Sequence, residues 1–221
     1  MEFDPSAIVD SWRFLAYGAG ITLVLSVVSG AAAIVLGVAI ALARLYGPRA
    51  VRVIVVFYID SMRAVPVLVV LVWTFFALPI LTGATMSPFM AALLGLTVHL
   101  AAYAAEIVRA GIESVRADQT RAAFALGMSR PQVLRHVVLP QATVRMLPAF
   151  GSLLSITIKD TAIASVIAVP ELMRQSETVA GQSFQPIEVF TFAMLVYFVM
   201  LYPVTRGVDR IYRRVAHLGR S

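Results

Sequence analysis

The stretch Leu78-Pro79-Ile80-Leu81-Thr82-Gly83-Ala84-Thr85-Met86-Ser87-Pro88, "LPILTGATMSP", decides the fold. It interrupts a run from Ala64 to Ala105 that holds no Asp, Glu, Lys or Arg. A membrane-crossing helix needs about 20 apolar residues, so the run is too long for one crossing. Two prolines and a glycine in its middle predict a short turn between two spans, near 53–77 and 88–109. Working outward, the charge-free run from Arg13 to Arg44 predicts a first span near 15–43. Two later apolar runs predict spans near 146–169 and 189–205. Lipid cannot satisfy backbone polar groups, so spans are helices or closed barrels. These runs lack the alternation of barrel strands. The expectation is an all-α integral membrane protein with five transmembrane helices, forming one domain over residues 1–221.

Composition agrees. The chain is 60% hydrophobic and 14% charged, against roughly 45–50% and 25% for soluble domains. It has no cysteine, which excludes disulfides and thiolate metal sites. Its net charge of +6 comes from arginines that cluster by loop, so no nucleic-acid partner is needed to explain it. Arg44, Arg49 and Arg52 follow the first span. Arg109, Arg116, Arg121, Arg130 and Arg135 follow the third, and Arg206, Arg210, Arg213, Arg214 and Arg220 follow the fifth. The other side holds Glu2, Asp4, Asp10, Arg13, Glu171, Arg174, Glu177 and Glu188. The positive-inside rule then puts the N-terminus outside and the C-terminus in the cytoplasm. No basic region precedes the first apolar run, which argues against a cleaved signal peptide.

The loop at about 113–140 is the largest polar piece. Gln119–Leu126 favours helix, and Gly127 sits where a glycine ends one. Ser129, Pro131 and Gln132 predict a capping box that opens a second short helix, halted by Pro140. Such helices can lie on the membrane surface or meet a cytoplasmic partner.

Four segments carry a specific resemblance. "RAAFALGMSRPQVLRHVVLP" (121–140) resembles the EAA loop of ABC-importer permeases. "YIDSMRAVPVLVV" (58–70), "AAYAAEIVRAGIESV" (101–115) and "TIKDTAIASVIAVPEL" (157–172) resemble its polar-amino-acid branch, in the family's order. The resemblance implies the MetI-like type I ABC importer permease fold in a bacterial inner membrane. It also implies a second permease subunit (the same or a homologous chain), a cytoplasmic ABC ATPase dimer and an extracytoplasmic substrate-binding protein. Arg121, Ala122, Ala123, Leu126, Gly127, Met128 and Ser129 become the expected ATPase-coupling residues. The chain has no G-x-x-x-x-G-K-[ST] loop, so ATP and Mg are expected on the partner ATPase and no cofactor on this chain. Five positions depart from the pattern. Arg121 stands where the loop's glutamate is usual, Asp118 where a glycine is, and Ala64-Val65 where Gly-Thr is. His99 replaces a common asparagine. An Asp118–Arg121 pair at i,i+3 offers partial compensation for the first.

Ionisable residues inside spans are functional candidates by default. Lys159 and Asp160 lie near the middle of span four, where neighbouring residues point about 100° apart. They are either an ion pair to other helices or, as the resemblance implies, ligands for an α-carboxylate and an α-ammonium, with Thr161 beside them. His99, Tyr103 and Glu106 recur at i, i+4, i+7 on one helix face. Glu106 can alternatively pair with Arg109 or Arg63. Arg63 can pair with Asp60 or grip a carboxylate in bidentate fashion. Pro66 predicts a kink or an altered first turn in span two. The three histidines, His99, His136 and His217, show no ligand spacing, and no nucleophile–base set is recognisable.

These readings converge on a permease subunit of an ATP-driven importer for a polar amino acid or similar zwitterion, not an enzyme. Compatible solutes of the ectoine type and opines are alternatives within the family. An ion-coupled secondary transporter or a membrane scaffold is the alternative outside it, although the chain shows no internal repeat of the carrier kind.

Overall fold

The computed structural model describes residues 4–216. Glu2, His217 and Arg220, named above, lie outside them. Among the described residues every regular element is helical.

A short α1 (Ser6–Asp10) leads into α2 (Trp12–Tyr46), 35 residues or about 52 Å of helix. Apart from Leu15 and Leu25, its buried stripe is made of small residues: Gly18, Thr22, Ser26, Ser29, Gly30, Ala33, Gly37 and Ala41. Small residues let helix backbones approach closely where no hydrophobic force separates helix from lipid. At Gly37 the approach is closest, since a Cβ there would sit 2.9 Å from the Ala101 carbonyl of the central helix α6 (Pro88–Glu113). The hydroxyls of Thr22, Ser26 and Ser29 donate back to carbonyls one turn earlier, at 3.1, 2.6 and 2.6 Å, and so stay satisfied in the interface.

Span two breaks at Pro66, where a kink is expected, and more sharply than a kink. Instead of one helix over 53–77, α3 (Arg49–Ala64) and α4 (Val67–Val72) flank an extended Val65-Pro66 step. The helical segments on its two sides are bent by 107°. Proline has no N–H to continue α3 and pushes the residue before it out of the helical region. A wide π-turn (Trp73–Ala77) joins α4 to α5 (Leu78–Thr82), which runs past Pro79 and stops at Gly83, in the left-handed region at φ 70°. Ser87 then caps α6, accepting from the Met90 N–H.

After α6 come α7 (Ala117–Ala125), the left-handed Gly127 (φ 82°) and α8 (Arg130–Val133), opened by the Ser129/Gln132 capping box. Pro140 does not halt the chain. A π-turn over Leu134–Val138 carries α8 directly into α9 (Leu139–Ile163). Its widened ring, with the Leu139 N–H on the Leu134 carbonyl, makes room for the proline ring and its missing donor. A 3₁₀ turn (Ala164–Ile167) and the left-handed Ala168 lead to α10 (Leu172–Ser183) and α11 (Pro186–Val215).

Among the described residues four helical runs are long and apolar enough to cross a membrane, and the bent pair, counted as one broken span, makes a fifth. Gly37 against Ala104, Gly111 against Met146 and Gly151 against Val208 bring one end of α2, α6, α9 and α11 together. That end carries Arg44, Arg109, Arg145 and Arg206. Gly18 against Leu172 and Gln175 marks the other.

Candidate functional site

The break at Val65-Pro66 opens a cavity of about 360 Å³. Its walls come from three helical runs: Arg63 to Val67, then His99, Leu100 and Tyr103 on α6, then Ile156 and Asp160 on α9. The i, i+4 spacing places His99 and Tyr103 on one face, with ring centroids 5.4 Å apart. The Arg63 guanidinium lies over the Tyr103 ring at 5.8 Å. His99 is buried, and its Nδ1 has no hydrogen-bond partner among the described residues. A guanidinium, a carboxylate, an imidazole and a phenol thus surround one void, reached from different helices.

The other expected site residues lie elsewhere. Lys159 turns about 100° from Asp160 and lines a separate cavity of about 390 Å³ against α11, with Ser152, Ser155, Thr205 and Asp209. Thr161 is fully buried and donates its hydroxyl to the Ile158 carbonyl at 2.7 Å. Glu106 is set back from the Asp160 cavity. It accepts from Arg44, from Arg109 Nε and Nη2 at 3.1 and 2.8 Å, and lies 3.9 Å from Arg63. It therefore takes both pairings foreseen for it, with Arg109 and with Arg63. Arg44 had registered only as a loop charge.

Glu171 had also registered only as a loop charge, and it is fully buried. Its carboxylate caps α10, accepting from Met173 and Arg174 N–H groups at 2.8 and 2.7 Å, and from the hydroxyl of Tyr197 on α11 at 2.8 Å. Thr22 of α2 adds a 3.5 Å contact. Burial pushes the Glu171 carboxyl above its ordinary range, opposed by the hydrogen bonds it accepts. The signal for this role was its place one residue ahead of a helix, an N-cap position.

The predicted coupling residues surround a helix stop. Ala123 is buried, packed with Val115, Val133 and Val138, and Met128 is half-buried against the same group. Arg121, Ala122, Gly127 and Ser129 are exposed, and so are Phe124 (48%) and Leu126 (83%). Asp118 and Arg121 approach to 3.8 Å as the spacing foresaw. An apolar patch outside the spans is a mark of an interaction site.

A model of the family described as the binding-protein-dependent transport system inner membrane component matches residues 33–217. The glutamine transport system permease protein GlnP of Escherichia coli strain K12 is 33% identical over 216 residues, covering 97% of this chain and 99% of that protein. The arginine transport system permease protein ArtQ of Bacillus subtilis is 32% identical over 213 residues, covering 95% and 97%. A crystal structure of an amino acid ABC transporter with histidines matches with a TM-score of 0.91 at 29% identity, over 97% of this chain and all of that one. The MetNI methionine ABC transporter in an inward facing form gives a TM-score of 0.80 over 93% and 98% of the two chains; at 22% identity it bears on the fold alone. By sequence along most of its length and by helix arrangement, the chain belongs to the inner membrane components of binding-protein-dependent transport systems and has the type I importer permease fold.

Proposed function

We propose that this chain is the transmembrane permease subunit of an ATP-driven ABC importer for a polar amino acid or a related small zwitterion. The observation that carries the reading is the cavity at the α3–α4 break. It offers a zwitterion both charges at once, Arg63 for a carboxylate and Asp160 for an ammonium, in about 360 Å³. His99 and Tyr103 line the same wall and would meet the side chain. The names of the relatives, which include glutamine and arginine permeases, support the amino-acid class. Lys159, Glu106 and Thr161 play no direct part in this version of the site.

Transport proceeds by alternating access. A second permease subunit, the same chain or a homologue, completes the pathway. A cytoplasmic ABC ATPase dimer, which binds ATP and Mg, docks on α7 and the turn after it through Arg121, Ala122, Leu126, Gly127, Met128 and Ser129. An extracytoplasmic binding protein delivers the substrate at the opposite end. The arginine-rich end faces the cytoplasm, with the N-terminus outside. The continuous helix from Arg130 to Ile163 joins the docking segment to Asp160 without a flexible linker, so movement at the ATPase reaches the cavity wall.

The test is reconstitution with the ATPase and binding protein encoded alongside, followed by uptake measurements on a panel of amino acids, opines and ectoine-like solutes. Uptake requires ATP, Asp160→Asn abolishes it while the complex still assembles, and Leu126→Asp uncouples it. Uptake without ATP is the outcome for an ion-coupled carrier. Assembly lost together with transport in Asp160→Asn is the outcome for a structural charge. Either one ends this reading.

A further inference from the structure

We infer that the last turns of α11 hold an anionic phospholipid, with its phosphate on Arg206, Arg210 and Arg213 and its glycerol and upper acyl chain along Tyr202 and Phe198. Helix α11 is 30 residues, about 45 Å, against a hydrocarbon core of about 30 Å. Its residues 189–205 carry no charge, and the first charge beyond them is Arg206. The apolar-to-charged boundary therefore falls between Tyr202 and Arg206, one helical turn apart.

That boundary is built as one row. Phe198, Tyr202, Arg206 and Arg210 follow at i, i+4, i+8 and i+12, on neighbouring turns. The Phe198 and Tyr202 rings lie 5.5 Å apart, and the Arg206 guanidinium lies over the Tyr202 ring at 5.3 Å. Tyr202, Arg206, Asp209, Arg210 and Arg213 line a groove of about 270 Å³. None of the ion pairs among the described residues takes up Arg206, Arg210 or Arg213. The groove contains three cations and one anion, Asp209.

Charge and polarity select the occupant. Three arginines repel a second copy of the same face and attract an anion, and a guanidinium binds phosphate oxygens in bidentate fashion. A water-soluble protein could meet the arginines but not Phe198 (60% exposed), which lies within the hydrocarbon run. An amphiphile spans both halves of the row. Basic residues beside a span end are the expected partners of anionic headgroups, and here they are continuous with aromatic residues at interface depth. The inference is independent of the transported substrate and of the ATPase.

The test places a fluorescent reporter in the row. The chain has two tryptophans, so Trp12→Phe and Trp73→Phe leave Phe198→Trp as sole emitter in the full-length protein in nanodiscs. Quenching by acyl-brominated phosphatidylglycerol is compared with quenching by brominated phosphatidylcholine. The phosphatidylglycerol preference is expected to be severalfold, and to fall with each arginine removed until Arg206→Gln/Arg210→Gln/Arg213→Gln reaches parity. Arg210→Gln alone tests the point if the triple variant fails to insert. Asp209→Asn is expected to raise the preference. The control Arg49→Gln/Arg52→Gln, basic residues on α3, is expected to keep it. Four results overturn the inference: no preference in the parent protein, an equal loss in the control, release of the lipid by added inorganic phosphate, or a reporter that no lipid quenches because protein covers it.

Discussion

Glu106 and Glu171 are carboxylates withdrawn from water at opposite ends of the same bundle, and the protein neutralises them by opposite means. Glu106 is surrounded by the cations of three helices: Arg44 from α2, Arg63 from α3 and Arg109 from its own α6. Glu171, although fully buried, accepts among the described residues from dipoles: two backbone N–H groups at the start of α10 and the hydroxyls of Tyr197 and Thr22. An ion cluster binds through long side chains that can exchange partners. A helix N-terminus offers fixed dipoles whose geometry is set by the backbone. The arginine cluster thus stands beside the cavity, with Arg63 shared between Glu106 and Tyr103. The dipole knot ties α2, α10 and α11 at the far end, where the close packing of Gly18 on Leu172 and Gln175 leaves no slack.

The largest expected effect is therefore at the rigid end. Glu171→Ala leaves two N–H donors and the Tyr197 hydroxyl buried without an acceptor, each such group costing about 1–3 kcal/mol. A loss of about 3 kcal/mol or more is expected, read as thermal unfolding in detergent. Adding Tyr197→Phe should recover part of it, because it removes one orphaned donor. A loss below about 1 kcal/mol would mean that water enters and that the knot is not dry.

At the other end Glu106→Gln should cost less, about 2 kcal/mol. It strands arginines but leaves them partial access to water; the side chains of Arg44 and Arg109 are 23% and 27% exposed. Breaking a fully buried pair costs about 3–5 kcal/mol. In the Glu106→Gln background, Arg44→Gln should be stabilising, since it relieves a like-charge cluster. The opposite sign there would show that Arg44 is held by packing and that the cluster is not electrostatic in origin.

Much of this contrast was readable in the chain beforehand, and some was not. Charge-free runs and loop arginines located the helices because lipid imposes a long-range rule on composition. His99 and Tyr103 could be placed together because helical spacing is local. Pro66 announced a break, yet its 107° angle depends on what α4 packs against. Pro140 misled, because its cost is absorbed by a π-turn whose Val138 is buried against neighbouring helices. Lys159 and Asp160 had to diverge, but which one met α6 and which met α11 was a tertiary fact. Glu171 was the least visible. Its donors come from residues as distant as Thr22 and Tyr197, and no local pattern links those to it.

The two carboxylates should also respond differently to pH. Burial raises the folded-state pKa of Glu171 above its ordinary 4.5, so the folded state holds this proton more tightly than the unfolded chain. The stabilising contribution is complete below the unfolded value and is lost as pH climbs through the folded one. Unfolding temperature should thus decline as pH rises from about 4.5, and Glu171→Gln should flatten that decline. A slope that survives in the variant assigns the titration elsewhere.

The smallest effect marks the limit of the comparison. Asp118 and Arg121 form an i,i+3 pair, but their side chains are 72% and 80% exposed. An ion pair in water is screened and holds two long side chains at an entropic cost. Asp118→Asn should leave the unfolding temperature of the isolated chain unchanged within error. If the same variant nevertheless weakens ATPase stimulation in the assembled complex, the pair matters only once a partner excludes water from it. Its electrostatics would then come to resemble those of the Glu106 cluster, where partial burial already does the same. A stability change in the isolated chain would instead mean that α7 is held in place by this pair rather than by Ala123 packed among Val115, Val133 and Val138.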